Sequence, residues 1–235
     1  MTESDTPIAN RLLAALPSGE YRSLFPKLEE IPLTYGENIY EQGEIIRYVY
    51  FPNSGIISLL VATEPDATLE VGIVGREGIV GFHIFLGVQT SNYRAVVQGT
   101  GFAMRMKADD FLAECRKNKI LPQLLQRFTY SLLTQASQSA VCCCHHPIEN
   151  RLARWLLMTS DRMQANEFHL TQDFLSNMLG VRREAVNKSA VILQQQQLID
   201  YSRGNILILN RQALEIKACS CYALLKADEM SFPAQ

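Results

Sequence analysis

The stretch LTQDFLSNMLGVRREAVNK, residues 170–188, places a glycine corner in front of a cluster of charged and polar side chains. Thr171 fits a helix N-cap, with Asp173 near the positive end of the helix that follows. That helix runs to about Met178. Gly180 then falls where a tight turn between two helices needs a residue that tolerates positive φ. A second helix starts near Arg182. Ala185, Val186, Ala190, Ile192 and Leu193 supply its inward contacts, and Arg183, Glu184, Asn187 and Lys188 share the other side. After QQQQL, the run LIDYSRGNILILN predicts a two-stranded hairpin with Gly204-Asn205 at its turn. Two helices across a glycine corner, followed by a hairpin, make a winged helix-turn-helix.

Charge supports that reading. The chain has a formal net charge of -2, with 22 basic and 24 acidic residues. From Arg182 to Arg211 the balance reverses, to five basic residues against two acidic. A near-neutral protein with one local cationic face suits a duplex-binding surface better than a general polycation does. On charge alone a solvated helix face is the simpler reading; corner, charge and wing together favour a DNA reader. Such a second helix enters the major groove N-terminus first, which brings Arg182 and Arg183 to the bases. An arginine fork matches guanine O6 and N7, and Glu184 can accept from cytosine N4. Asn187 lies on the same side, and Lys188 can reach a base or a phosphate. Thr171 and Arg203 are placed for phosphates, which fix register and read no sequence.

The rest of the chain divides into two parts. Its 235 residues fit one large domain or two ordinary ones, and 47% hydrophobic content suffices for a sizeable core. Residues 8–30 predict short helices, with Pro17-Ser18 at a helix start. From Ile31 to Met106, short apolar runs are cut by glycines, as in YGENIYEQGEIIRYVYFPNSGIISLL; this predicts a β sandwich or barrel. ADDFLAECRKNK predicts a short helix, and a longer one starts near Ile120 and runs to about Cys144. Along it Leu121, Leu125, Phe128, Leu132, Gln135, Ser139 and Cys142 recur at steps of four and three. That period of about 3.5 residues fits a coiled-coil dimer seam, and equally a helix packed on its own domain. Pro147 breaks the helix, and IENRLARWLLMTSDRM continues with Ile148, Leu152, Trp155, Leu156 and Met163 on one face and arginines elsewhere. The expected fold class is therefore α+β. Residues 1–107 form an N-terminal β-domain, 108–146 the linking and dimer helices, and 147–235 the winged helix-turn-helix.

The chain resembles the Crp/Fnr family of bacterial transcription regulators along nearly its whole length. The glycine-spaced strands resemble the family's β-roll, a double-stranded, jelly-roll-like domain that binds cyclic nucleotides in some members. The helix over 120–144 is similar to the family's dimerisation helix. The family's R-E-x-x-x-R core appears as Arg183-Glu184…Lys188, and the lysine at 188 lacks the bidentate fork for the outer operator bases. The resemblance implies a homodimer on a two-fold symmetric double-stranded operator, with RNA polymerase as a partner. The family's ribose-holding Gly-Glu-Leu falls on Gly81-Phe82-His83. Its phosphate-binding Arg-Ser pair falls near Ser91-Asn92, and the nearest arginine, Arg94, belongs to a following strand position. A phosphate there lacks its counter-charge, so cyclic AMP is not expected. Phe82, His83, Ser91, Asn92 and Arg94 remain the candidate effector-pocket residues for an unknown signal. With no cysteine before Cys115, the iron–sulfur cluster of the oxygen-sensing branch is not expected.

CCCHH, residues 142–146, raises the question of a metal. Successive helical residues turn by about 100°, so the three cysteines cannot all point one way. Only Cys142 and His146, at i and i+4, can share a face, and two such pairs could meet across a dimer seam. The favoured reading is cysteine as a small hydrophobe, with no metal expected. Cys219 and Cys221 could join a site only if the fold delivers them there, and a thiol redox switch is a separate reading. No apolar run approaches the roughly 20 residues that cross a bilayer. The segment MTESDTPIANRLL lacks the pattern of a signal peptide, so a cytoplasmic protein with no membrane partner is expected. Nucleophile-elbow, P-loop, H-E-x-x-H and dinucleotide patterns do not occur, and an enzyme is not expected.

Overall fold

A computed structural model describes residues 9–64 and 67–230. Two short helices, α1 (Arg11–Ala14) and α2 (Ser18–Leu24), lead into the strands. Ile8, which opened the first expected helix, lies outside the described residues. Asn10 explains why α1 starts where it does. Its side chain accepts from Leu13 N–H as an N-cap while its amide donates to Pro52 O and Gly78 O, both at 2.9 Å.

Among the described residues of the N-terminal part, seven strands form two facing antiparallel sheets. One contains β1 (Glu29–Leu33), β7 (Gly101–Lys107) and β3 (Tyr48–Pro52), in the order β1-β7-β3. The other contains β2 (Asn38–Tyr40), β6 (Arg94–Gly99), β4 (Ile56–Glu64) and β5 (Ala67–Val74), in the order β2-β6-β4-β5. Strand alternation sends Val49, Phe51, Ile57, Val97, Ala103 and Met106 inward to one core, the expected jelly-roll-like β-roll.

Helix α3 (Ala108–Lys117) follows, then α4 (Ile120–His145) with Pro122 in its first turn. The buried face of α4 is the one expected to form the dimer seam. Of the seven residues at the seam spacing, Leu121, Leu125, Phe128, Leu132 and Gln135 are buried against the roll of their own chain, and Cys142 is buried against Cys219 and Cys221. Phe128 lies directly over Gly78, where an added Cβ would sit 2.0 Å from the ring. Gln135 accepts from Ile73 N–H. Ser139 is half-buried. The helix packs on its own domain because the roll offers it an apolar floor. The side chains left in solvent include Tyr130 at 58% and Leu133 at 64% exposure, followed by exposed Ser137, Ala140 and Cys144. These too recur at steps of three and four, on the opposite side.

Beyond Pro147 come α5 (Ile148–Met163), β8 (Glu167–His169), α6 (Gln172–Leu179), α7 (Arg183–Gln195), β9 (Ile199–Ser202), β10 (Asn205–Ile208), α8 (Arg211–Lys217) and α9 (Cys221–Met230). Helix α5 is buried all round from Arg151 to Ser160: Arg151, Arg154 and Arg162 are themselves buried, at 6–8% exposure, along with Leu152 and Trp155 at 1%. It is the shared wall between the roll and the C-terminal module. Ile56, Leu60, Ile73 and Val96 of the roll pack in one cluster with Trp155, Leu156, Leu175 and Leu179. Helix α9, which sequence periodicity did not reveal, returns to lie against α4.

Candidate nucleic-acid interface and roll pocket

The reading head is built as its sequence directs. Thr171 Oγ1 accepts from Phe174 N–H at 3.1 Å and caps α6. Gly180 has φ +61, which lets the chain turn at once into α7. Arg182 is the N-cap residue of α7. Val186, Ser189, Ala190 and Leu193 pack inward; Ile192, expected inward, is exposed, and Ser189 takes a place in the core.

Arg182, Arg183, Glu184, Asn187 and Lys188 all lie exposed on the outer face of α7. Arg182, Glu184 and Lys188 make no ion pair or side-chain hydrogen bond among the described residues. Arg183 is held differently. Its guanidinium lies 3.4 Å from Asp173 Oδ1, and its Nε donates to Gln172 Oε1 at 3.3 Å. Gln172 in turn donates to Asn187 Oδ1 at 3.0 Å. One polar net thus orients Arg183 and Asn187 side by side. Gln172 and Asp173 belong to this net, where their sequence positions gave only a helix and a dipole role. The signal that could have found them is their place in the first turn of α6, facing the start of α7.

The wing forms one residue earlier than expected. Arg203 and Gly204, with φ +51 and +85, are the two turn residues, and Asn205 is already paired with Ser202. Two successive positive φ values make a tight turn that matches the strand twist. They project exposed Arg203 beyond the sheet. Strand β8 joins the wing as a third strand, in the order β8-β10-β9. Thr171, Gln172, Asp173, Arg183, Tyr201 and Arg203 border one open concavity, so cap, recognition helix and wing share a surface.

The second site lies between the roll and α4. A cavity of about 330 Å³ is lined by Phe82, His83, Asn92 and Tyr93, and by Thr129, Leu132, Leu133 and Ala136 of α4. Two expected members are absent. Ser91 is wholly buried in its own turn, where it donates to Tyr93 O at 2.8 Å. Arg94 points outward to Asn38 Oδ1 at 3.0 Å and to Glu41 at 3.7 Å. Ser91 is held by its own turn and the β6 start aims Arg94 at β2, so both lie outside the lining. His83 is 6% exposed, and neither ring nitrogen has a partner among the described residues. Burial pushes its pKa down to about 4, so the imidazole is neutral at pH 7. Tyr40, Phe82 and Tyr93 present their rings to it at 5.1–6.0 Å.

Comparison with known protein families matches residues 30–118 to the cyclic nucleotide-binding domain and residues 150–216 to the Crp-like helix-turn-helix domain. The chain belongs to the Crp/Fnr family. It is accordingly a transcription regulator with a DNA-binding helix-turn-helix. Solved structures of Crp/Fnr proteins share its fold. FixK2 of Bradyrhizobium japonicum is 17% identical over 82% of this chain and 98% of its own, with a TM-score of 0.69. A putative Crp/Fnr regulator of Eubacterium rectale is 15% identical over 89% and 98%, with a TM-score of 0.68. A Crp/Fnr regulator of Thermus thermophilus is 21% identical over 81% and 98%, with a TM-score of 0.68. No curated protein matches the chain. No helix among the described residues is long and apolar enough to cross a membrane.

Proposed function

We propose that this Crp/Fnr regulator acts as a homodimer that reads a two-fold symmetric operator and answers to a ligand held between the roll and α4. The exposed cationic start of α7 carries the reading. Arg182, Glu184 and Lys188 stand free in solvent, beside an Arg183 already oriented by Gln172 and Asp173. A side chain held in place loses less freedom on meeting a base, which favours specific contact. Two copies must present such helices about 34 Å apart to reach successive major grooves.

The exposed stripe Tyr130, Leu133, Ser137, Ala140 and Cys144 supports pairing through α4, offset from the seam that periodicity alone suggests. Leu133 belongs both to that stripe and to the cavity lining. A ligand in the cavity therefore touches the helix that would set the dimer geometry, and can shift the population toward the DNA-competent spacing. The lining contains His83, neutral at pH 7, and among the described residues no lysine or arginine. That chemistry suits a largely apolar, weakly polar ligand and disfavours cyclic AMP, whose phosphate calls for a counter-charge. One structural relative, from Xanthomonas campestris, is a c-di-GMP-responsive global regulator; the cavity here has no cation to match such phosphates. RNA polymerase is the expected partner once the dimer is on its operator.

The test is selection of a random duplex pool by the purified, reduced protein without added ligand. An enriched inverted repeat with half-site centres about 10–11 bp apart supports the dimeric reader and makes an obligatory ligand unnecessary. Enrichment of an unrepeated half-site would overturn the dimer.

A further inference from the structure

The end of α4 meets the segment that joins α8 to α9. Cys142 Sγ lies 3.4 Å from Cys219 Sγ, and Cys221 Sγ lies 3.6 Å from His146 Nδ1. All four ligand atoms are within 4.8 Å of one another. The three cysteines are buried and His146 is half-buried. Both pairs are held by backbone. His146 N–H donates to Cys142 O at 3.2 Å, closing the last turn of α4, and Tyr222 N–H donates to Cys219 O at 3.0 Å, folding the C-x-C segment.

We propose that Cys142, His146, Cys219 and Cys221 of one chain form a Cys3His site for a structural zinc ion. Zinc with bonds of about 2.3 Å to sulfur and about 2.0 Å to nitrogen sets tetrahedral ligand atoms roughly 3.5–3.8 Å apart. The two contacts above, at 3.4 and 3.6 Å, lie within a few tenths of an ångström of those spacings. Four protein ligands close the coordination sphere and leave no place for a substrate, which makes the site structural. A disulfide between Cys142 and Cys219 would leave Cys221 and His146 without a role.

Charge gives an independent argument. Arg154 is 7% exposed, makes no ion pair among the described residues, and its Nε has no hydrogen-bond partner. It lies within electrostatic range of all three thiols. Three thiolates on one zinc ion carry a net single negative charge, which is the counter-charge a buried guanidinium needs. Binding releases the thiol protons to solvent, so occupancy falls as pH falls. The bound ion would tie the start of α9 to the end of α4, beside the Pro147 break. The joint between the long helix and the DNA-binding module would then be clamped, not hinged.

The full chain, purified under reducing conditions, should contain roughly one zinc per chain by elemental mass spectrometry. Cys219→Ser and Cys221→Ser should lower that to background. Cys143→Ser and Cys144→Ser, at exposed positions off the cluster, should leave it unchanged. His146→Cys should keep zinc, because four thiolates also form a tetrahedral site. A serine variant that fails to fold is bypassed by stripping the wild-type chain with a chelator. Zinc should then raise its melting temperature, and cobalt(II) should give a tetrahedral thiolate spectrum that Cys143→Ser retains. Two results would each overturn the proposal. One is a metal-free chain with no response to zinc or cobalt. The other is a chain lighter by two hydrogens, with Cys142 and Cys219 in one disulfide-linked peptide pair.

Discussion

Ser58 has one hydroxyl proton, yet its Oγ lies 2.7 Å from Glu70 Oε2 and 2.6 Å from Gln98 Oε1. It cannot donate to both. The conflict resolves if Glu70 is protonated and donates to Ser58, which then donates to Gln98. Gln98 Nε2 passes the chain to Thr159 at 3.0 Å, and Trp155 Nε1 donates to the remaining Glu70 oxygen at 2.8 Å. Burial also pushes the Glu70 pKa up, to about 7 from 4.5. A carboxyl raised on folding contributes stability that is complete below about pH 4.5 and lost as pH passes about 7. The wild-type melting temperature should therefore fall between those limits relative to Glu70→Gln, whose amide keeps the same donor and acceptor pattern. Parallel melting curves for the two proteins across that range would refute the protonated form. At the recognition helix, Arg183→Ala should weaken operator binding roughly ten- to hundred-fold and random-sequence binding far less. Equal losses on both duplexes, in a salt-matched titration, would assign Arg183 to phosphates instead.

At the scale of elements, α4 has two working faces. The inner one depends on Gly78, because a methyl group there would strike the Phe128 ring. Gly78→Ala should cost about 1–3 kcal/mol in denaturant unfolding, as overpacking does; an unchanged midpoint would mean that α4 slides freely on the roll. The outer face should govern association. Leu133→Glu places a charge on the exposed stripe and should yield a folded monomer in sedimentation, with near-native circular dichroism. Leu125→Glu, on the buried face, should unfold the chain instead. A Leu133→Glu protein that stays dimeric would move the interface elsewhere. The wing belongs to this scale too: its turn at Arg203-Gly204 is set by two positive φ values, which explains why Arg203 stands at its tip.

At the scale of the whole molecule, the roll and the DNA-binding module share structure. Leu69 of β5 lies where a Cβ on Gly180 would be 2.8 Å away, so the roll touches the turn between α6 and α7. Tyr35 of the roll lies 5.6 Å from Phe174 of α6, ring to ring. Arg162 of α5 and Glu77 of the roll form a buried ion pair at 2.8 Å. Breaking such a pair from one side typically costs about 3–5 kcal/mol because the other charge stays buried. The chain should therefore unfold in one cooperative transition. Its single tryptophan, Trp155, sits on the shared wall and reports directly on it. Coincident fluorescence and far-ultraviolet circular dichroism curves are expected in denaturant. Fluorescence lost well before helicity would show that the modules separate first.

The amino-acid sequence alone determined what local chemistry controls. Thr171 capping, the positive φ at Gly180, the Pro147 break and the apolar alternation of the strands depend on near neighbours, so helix-turn-helix, roll and long helix were all legible. The cationic set from Arg182 to Lys188 was legible for the same reason: helical spacing puts it on one face. Only the tertiary structure decided which face of α4 is buried, because a repeat of about 3.5 residues fits a helix on its own roll as well as a helix on a partner. It alone turned Arg94 away from the cavity and enclosed the arginines of α5 between the roll and the rest of the C-terminal module. Cys142 and Cys219 are 77 residues apart in the chain. No local rule relates them; their meeting follows from α9 folding back on α4.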